Sequence, residues 1–463
     1  MKHWILNTVL IFITSSVLAQ EKKWVIRENT PITFDEIVKK SNDHFASKSA
    51  DIKDKKAQNE KDSEWKRYKR WEWFWSNRIN ENGFFPDPFQ QNQTYKQLQN
   101  QGKLKNLEQT WTNINQTTAD GGYNGMGRLT SVAFHPTDSN TFYVCAPIGG
   151  IWKTIDGGLS WIALGDSLPY VSVGNIVIHP QFPDSIYITI GDHQGWWNYG
   201  LGIFVSSDAG ITWNPTSQTT NFSNQIAFLK LVIDSENPNT LWSAQSNGLF
   251  KSINGGNTWT LAHSGFHNDV DIDDNTDAIY TCRDDYWGSS EVFVSYDNGG
   301  TWEQITQFNE PYAENQIALS PLDTQMVAVM HSVNGEGHLL LAQDSLLTWQ
   351  EVSIVPEDWV FQFSSQLEAT LYCGGINVYQ STDLGVNWSQ QSMWYDVPEY
   401  PTVHADQRFI QYHPITHEMF FCNDGGLYKF NENTETWTDL SNGLIITQFY
   451  RIAVSQNDET FMI

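Results

Sequence analysis

Past residue 110 this chain is nearly without positive charge. Residues 111–463 hold 8 Lys and Arg against 39 Asp and Glu. A body that acidic repels phosphate, which excludes nucleic acid as a natural partner. It favours solubility and attracts cations. Residues 1–110 carry the opposite sign, with 19 basic and 14 acidic residues. Cysteine is scarce too, with four in 463 residues. Cys145, Cys282, Cys373 and Cys422 each fall in an apolar run at the same place in a repeat. Equivalent positions in separate repeats lie beyond the roughly 4.4–6.8 Å Cα separation of a disulfide. Buried free thiols are expected. Long apolar runs are missing after the first 19 residues, so no membrane span is expected.

The one apolar run is N-terminal. Lys2 and His3 precede Trp4 to Leu18, and Val17-Leu18-Ala19 offers small residues at the spacing of a cleavage site. Residues 1–19 read as a secretory signal peptide, too short and interrupted to span a bilayer. The expected location is secreted, or on the outer surface of a bacterial cell.

Tryptophan, by contrast, is abundant, at 21 residues. Much of it belongs to a recurring pattern, [Ser/Thr]-x-Asp-x-Gly-x-x-Trp. Complete copies carry Asp156 with Trp161, Asp208 with Trp213, Asp297 with Trp302, and Asp383 with Trp388. A fifth has Asn254 in place of the acid and ends at Trp259. Two are worn down, Asp344 with Trp349, and Asn431 with Trp437. Intervals between these tryptophans run from 39 to 52 residues. Periods of about 40–50 residues, each with four short strands, mean propeller blades. The fold class is therefore all-β, a seven-bladed β-propeller with four-stranded antiparallel blades. The Asp accepts N–H bonds from its own turn. The Gly permits positive φ, and the Trp covers the turn. These residues are structural.

The seven blades are expected within 111–447. Inner strands recur at Leu129–His135, Asn175–His179, Leu229–Ile233, Val270–Ile272, Gln316–Leu319, Val360–Phe363 and Phe409–His413. Several end in His-Pro or Ser-Pro, where Pro stops the ladder. Residues 20–110 form a basic, partly helical arm. Phe34, Ile37, Val38, Ser41 and Phe45 follow a helical period, and Trp65 to Trp75 pack a second helix with aromatics. Asn82-Gly83 and Pro86-Asp87-Pro88 then mark turns. The aromatics are expected to clamp onto the propeller's rim or side. The alternative is a basic stripe docking on a separate acidic partner. Residues 448–463 read as the start of a further blade or second propeller, cut short at Ile463.

In a four-stranded blade the 2–3 turns and the 4-to-1 connections share one face, and the Trp boxes lie on the other. Topology therefore pools a candidate ligand site. Blade two adds Asp192, His193, Trp196, Trp197 and Tyr199; blade four adds Asp284, Asp285, Tyr286 and Trp287. The connection between blades six and seven adds Trp394, Tyr395, His404, Asp406 and Arg408, and blade seven adds Asp424. Exposed aromatics beside carboxylates suit sugars, with a ring to stack on and acids for hydroxyls. The alternative is that the aromatics only fill the mouth of the ring. His404 and Asp406 would share a side of a strand, as a base and its orienter or as metal ligands; structural hydrogen bonding is the simpler reading. The run from Asp269 to Asp277 is similar to a calcium loop but puts Asp274 where Gly is needed and Tyr280 where the bidentate Glu is needed. Solvent-facing acids alternating with inward Val270 and Ile272 is the expectation. No metal or cofactor is expected.

Across 125–460 the chain resembles the first propeller of xyloglucanase-type glycosidases (glycoside hydrolase family 74-like) and the sortilin-type propeller. The carrying residues are Gly127-Arg128, Ala133-Phe134-His135-Pro136, Ile148-Gly149-Gly150-Ile151-Trp152-Lys153-Thr154 and Gly443 to Ala453. The boxes resemble the Asp-box (BNR) repeat, a fold-supporting hairpin in those families. Lys69-Arg70-Trp71-Glu72 and Gly83-Phe84-Phe85-Pro86 resemble exported propeller proteins of Bacteroidetes, which implies a type IX secretion cargo reaching that machinery through a sorting domain beyond Ile463. The glycosidase resemblance implies a catalytic Asp directly before Ile148-Gly149-Gly150. Pro147 stands there. Glycoside hydrolysis needs two carboxylates, so this departure points to a non-catalytic binding propeller for a glycan or protein. The alternative is a β-glucan hydrolase with a rearranged acid pair, Asp192 and Asp406. A sialidase needs an arginine triad, and of Arg128, Arg283, Arg408 and Arg451 only Arg128 has a matching context.

Overall fold

The computed structural model describes residues 33–51, 64–102 and 124–447, apart from 193–197, 225, 285–289, 309–313, 324, 334–335 and 344–347. The expected signal peptide and the segment 448–463 lie outside the described residues.

Residues 131–439 fold into seven separate four-stranded antiparallel sheets, each in sequence order. The inner strands are Ser131–Phe134, Val173–Ile178, Phe228–Ile233, Phe266–Ile272, Glu314–Leu319, Val360–Phe363 and Gln407–Tyr412. Neighbouring inner strands approach all round the ring, blade seven against blade one included. This is a seven-bladed β-propeller. Second strands are mostly apolar because both their faces meet another blade; Phe142–Ala146, Leu241–Gln245, Leu371–Gly374 and Met419–Asn423 are buried at every residue. All four cysteines are free, buried and in second strands. Burial pushes the Cys145 thiol up to about 12, so it packs as an apolar group.

The recurring box explains its own turn. In blade one the Thr154 hydroxyl donates to Asp156 Oδ1 at 2.8 Å and accepts the Gly158 N–H at 2.9 Å. Asp156 also accepts the Ser160 N–H at 2.9 Å and hydroxyl at 2.6 Å. The same bonds recur around Asp208, Asp297 and Asp383. Two consecutive residues are left-handed in each hairpin. The first need not be glycine: it is Ala209, Asn298 or Leu384, with φ of 57°, 56° and 58°. The box tryptophan can bridge blades. Trp161 Nε1 donates to Leu440 O at 3.0 Å, and Trp213 Nε1 to Leu164 O at 3.2 Å.

Blade seven takes all four strands from one stretch of chain, so the ring closes without exchanging a strand. A clasp covers the seam instead. The Met126 and Leu129 N–H groups donate to Gly425 O at 2.7 Å and Asn423 O at 3.0 Å. The Thr447 hydroxyl donates to Met126 O at 2.8 Å. Met126, Leu129, Val132 and Phe142 share one apolar cluster with Phe420, Leu427, Leu440, Leu444 and Ile446.

Among the described residues the arm has three helices: α1 (Phe34–Asp51), α2 (Glu64–Ser76) and α3 (Pro88–Asn100). The third goes beyond the sequence expectation. Asp87 caps it, with Oδ1 accepting the Phe89 N–H at 2.9 Å, and Pro88 takes the first helical position. Phe34, Tyr68, Trp71, Trp75 and Phe85 share a cluster with Leu168, Val173, Phe204 and Phe222 of blades one and two. Phe89 stacks on Phe204 at 5.8 Å. The arm is thus held on the flank of the ring by apolar rings.

One expectation is overturned. Asp274 and Asp277 face solvent as expected, but Asp269 and Asp273 are buried and Asp271 is partly so. Asp269 is buried, pairs with Lys230 at 2.8 Å and accepts the Ile317 N–H at 2.8 Å. Asp271 lies 3.8 Å from the same lysine, and burial, ahead of that attraction, raises its pKa. Asp273 caps its turn, accepting from Asn275 N at 2.9 Å and the Thr276 hydroxyl at 2.7 Å. The cause is the architecture. An inner strand lies between two other inner strands, so blade three supplies a lysine and blade five an amide.

Acid groups of two kinds contribute to the pH dependence of this fold. The box carboxylates of Asp156, Asp208 and Asp383 are held low by hydroxyl or amide side-chain donors, then by turn amides; Asp297 is held low first by a turn amide. Their stabilisation is present above the unfolded value near 4 and is lost as pH falls through the folded values. Glu357, Asp406, Glu432 and Asp271 are raised, chiefly by burial. They bind protons more tightly when folded, so their contribution is lost as pH rises through the raised values. Burial also lowers the His267 imidazole to about 3, and that contribution is lost as pH falls towards the lowered value. Melting temperature should therefore fall as pH drops below about 4, where the box carboxylates and His267 take up protons together. Scanning calorimetry from pH 2 to 8 checks this; a melting temperature that stays level or rises from pH 4 to 2 would contradict it.

Candidate functional site

The face opposite the boxes gathers side chains from blades one, two, six and seven. Arg128, just before the first inner strand, forms an ion pair with Asp192 at the end of the second strand of blade two. Asp192 is 2% exposed. Burial, then the nearby Asp192 charge, pushes the Tyr170 phenol up to about 12.

Arg408 lies on the inner strand of blade seven. Its Nε donates to Asp424 Oδ1 at 2.8 Å and an Nη to Oδ2 at 3.2 Å, a two-pronged pair. Asp406 sits 3.5 Å away on the same guanidinium. The guanidinium also lies over the Trp359 ring, 5.2 Å from its centroid. Burial works against the Arg408 charge, and Asp424, Asp406 and Asp192 more than offset it, so its pKa is raised. The Arg128 and Arg408 pairs therefore feel one another.

Asp406 is the odd member. Burial raises its carboxyl, Asp424 adds to that, and Arg408 and His404 oppose it. Its φ is +66°, a left-handed conformation in which a non-glycine residue is strained. His404 packs against backbone. A Cβ on Gly425 would come 2.3 Å from the imidazole, and one on Gly125 would come 2.9 Å from it. Bare glycines at both positions make that approach possible. His404 and Asp406 do not share a strand as expected. They lie in the connection before Gln407–Tyr412, because Asp406 turns the chain into that strand.

Blade six completes this side. Glu357 accepts the Ile376 and Asn377 N–H groups at 3.2 and 3.4 Å, and burial raises its pKa. Trp394 N–H donates to the Asn377 side chain at 3.1 Å, and its ring meets Tyr395 edge-on at 5.0 Å. Trp359, Trp394 and Tyr395 keep 42%, 36% and 43% of their surface exposed.

The structure thus brings together Asp192, His404, Asp406, Arg408 and Asp424, with Trp394 and Tyr395 beside Asn377. His193, Trp196, Trp197, Asp285, Tyr286 and Trp287 lie outside the described residues, as do the side chains of Tyr199 and Asp284. Asp344 of the worn box is also outside them. Sequence reasoning passed over Arg128, Glu357 and Trp359 as site residues. The last two follow from the topology rule already in hand, since Pro356-Glu357-Asp358-Trp359 is a 4-to-1 connection. Among the described residues no three His, Cys, Asp or Glu side chains are grouped to hold a metal ion. No described helix is long and apolar enough to cross a membrane.

No protein-family model matches the chain. Curated relatives are xyloglucanases. One from Paenibacillus sp is 24% identical over 319 residues, covering 65% of this chain and 28% of that protein. The oligoxyloglucan-reducing end-specific xyloglucanase of Emericella nidulans is 26% identical over 201 residues, covering 39% and 24%. The chain thus spans about a quarter of the length of these relatives. Among solved structures, the GH74 xyloglucanase of Xanthomonas campestris superposes with a TM-score of 0.54 at 16% identity, covering 70% of this chain and 55% of that one. The chain is a propeller of the kind found in these glycoside hydrolases.

Proposed function

We propose that this is an exported propeller that binds a β-glucan-like polysaccharide and does not cleave it. One observation carries the reading: the two carboxylates nearest the arginines, Asp192 and Asp424, are held in ion pairs while Trp359, against Arg408, and Trp394 and Tyr395 of blade six stay exposed. A carboxylate held by an arginine must leave that pair before it can act on a substrate. Exposed rings can stack on sugar faces. Pro147, where the xyloglucanase resemblance implies an acid, is buried in the turn after Phe142–Ala146, on the same face. Export rests on residues 1–19, and the Bacteroidetes and type IX character on the resemblance given above. The expected test result is retention on xyloglucan or mixed-linkage β-glucan in affinity electrophoresis, with no reducing ends released. Trp359→Ala should weaken that retention about tenfold. Failure to bind either polymer would remove the glycan reading in favour of a protein ligand.

One feature favours a second reading. The raised, strained Asp406 has the character of a general acid. In a hydrolase it would protonate the leaving oxygen, and Asp192 would have to leave Arg128 to activate water. Release of reducing sugar that disappears in Asp406→Ala would establish that reading instead.

A further inference from the structure

The inner face of α2 is spent on the ring, but its outer face is not. Trp73 and Phe74 stand three and four residues after Arg70, Arg78 stands four after Phe74 just past the end of the helix, and all four are exposed. Trp73 is 70% exposed, unusual for so large an apolar group. The Arg78 guanidinium lies 4.0 Å from the Phe74 ring centroid, so cation and ring form one surface. Lys66 and Arg67 precede them by one turn in the sequence. No described residue of the chain covers this face.

Its complement is on the same molecule, at a different place. Among the described residues the turns of the box-bearing face contain sixteen Asp or Glu and no Lys or Arg, and all of these acids but Asp234, Asp273 and Glu432 are at least partly exposed. Between those acids stand exposed apolar side chains, among them Ile155, Leu159, Phe182, Ile211 and Ile253. The box acids stay ionised to low pH. A cationic–aromatic helix face thus matches an anionic–apolar turn face in both charge and character. The arm sits on the flank of blades one and two, held there through the helix's other side. A chain's own turn face is therefore not what its α2 face meets.

We propose that the outer face of α2 docks on the box-bearing face of a second copy of this chain. Two different surfaces meet, so the contact is head-to-tail and leaves a free copy of each surface at the ends. The net charge of −26 opposes approach at long range. At about 0.1 M salt the screening length is about 10 Å, so distant repulsion fades and contacts at ion-pair range persist.

Sedimentation of the full chain tests this. In 0.1 M salt the weight-average mass should rise above 53.0 kDa with concentration and return to monomer at 1 M salt. R70E combined with R78E should weaken association at least tenfold, with the circular dichroism spectrum and melting temperature unchanged. Trp73→Ser should do the same, as should Leu159→Ser with Ile211→Ser on the receiving face. A chain that stays monomeric at 0.1 M salt overturns the proposal. So does association that R70E/R78E leaves intact.

Discussion

Gly299→Ala should destabilise the chain by about 2–5 kcal/mol, read as the shift in the denaturant midpoint. Gly299 closes the box of blade four with φ at +83°. A Cβ there would lie 2.4 Å from Trp242 Cη2. Trp242 is fully buried among Ala244, Val270 and Ile279, with Trp302 packed against the cluster, and cannot retreat without opening the junction of blades three and four. A left-handed alanine costs about 1 kcal/mol or more, and forced overpacking typically another 1–3 kcal/mol. Gly102 supplies the control. It is also left-handed, at +62°, with nothing within 4 Å of its added Cβ. Gly102→Ala should therefore show only the backbone part, about 1 kcal/mol. Equal effects at the two sites would mean that Trp242 moves freely.

Trp161→Ala should destabilise by about 3 kcal/mol and should open the seam selectively. Its indole N–H is bonded to Leu440 O, across 279 residues, and its ring meets Phe142 edge-on at 5.6 Å. Trp161→Phe keeps a ring and loses only the hydrogen bond, about 1 kcal/mol. Hydrogen exchange locates the effect. In Trp161→Ala the amides of Met126 and Leu129, which bond across the seam, should exchange faster than those of blade four. Uniform acceleration around the ring would show that the clasp is no weaker than any other junction.

The ring was legible in the sequence because one local hairpin recurs, and each copy declares its turn by residues that few other turns need. Seven inner strands follow from it within a few residues. What escaped was non-local. Whether Asp269 faced water depended on Lys230, a blade away in sequence, and strand alternation alone could not decide it. Asp406 looked like a strand residue because its left-handed turn has no glycine to announce it. The third arm helix was hidden by a Gln- and Asn-rich composition, although Asp87-Pro88 was a readable start. On the candidate site, topology placed Asp192, Asp406, Arg408 and Asp424 on one face. It could not say that arginines hold the acids. That pairing changes the chemistry from proton transfer towards ligand holding.

Each blade is a single uninterrupted stretch of chain, and the ring is finished by a short clasp and not by a shared sheet. A blade is therefore a unit that can be copied whole. Duplicating or losing one such stretch in frame leaves every hydrogen-bond ladder intact, and only the angle between neighbours must adjust. A ring sealed by exchanging strands between its two ends has no such freedom, because its last sheet needs both ends at once. The unequal spacing of the box tryptophans fits that history. Loops between strands have grown and shrunk independently, the boxes of two blades have decayed, and the circle has still closed.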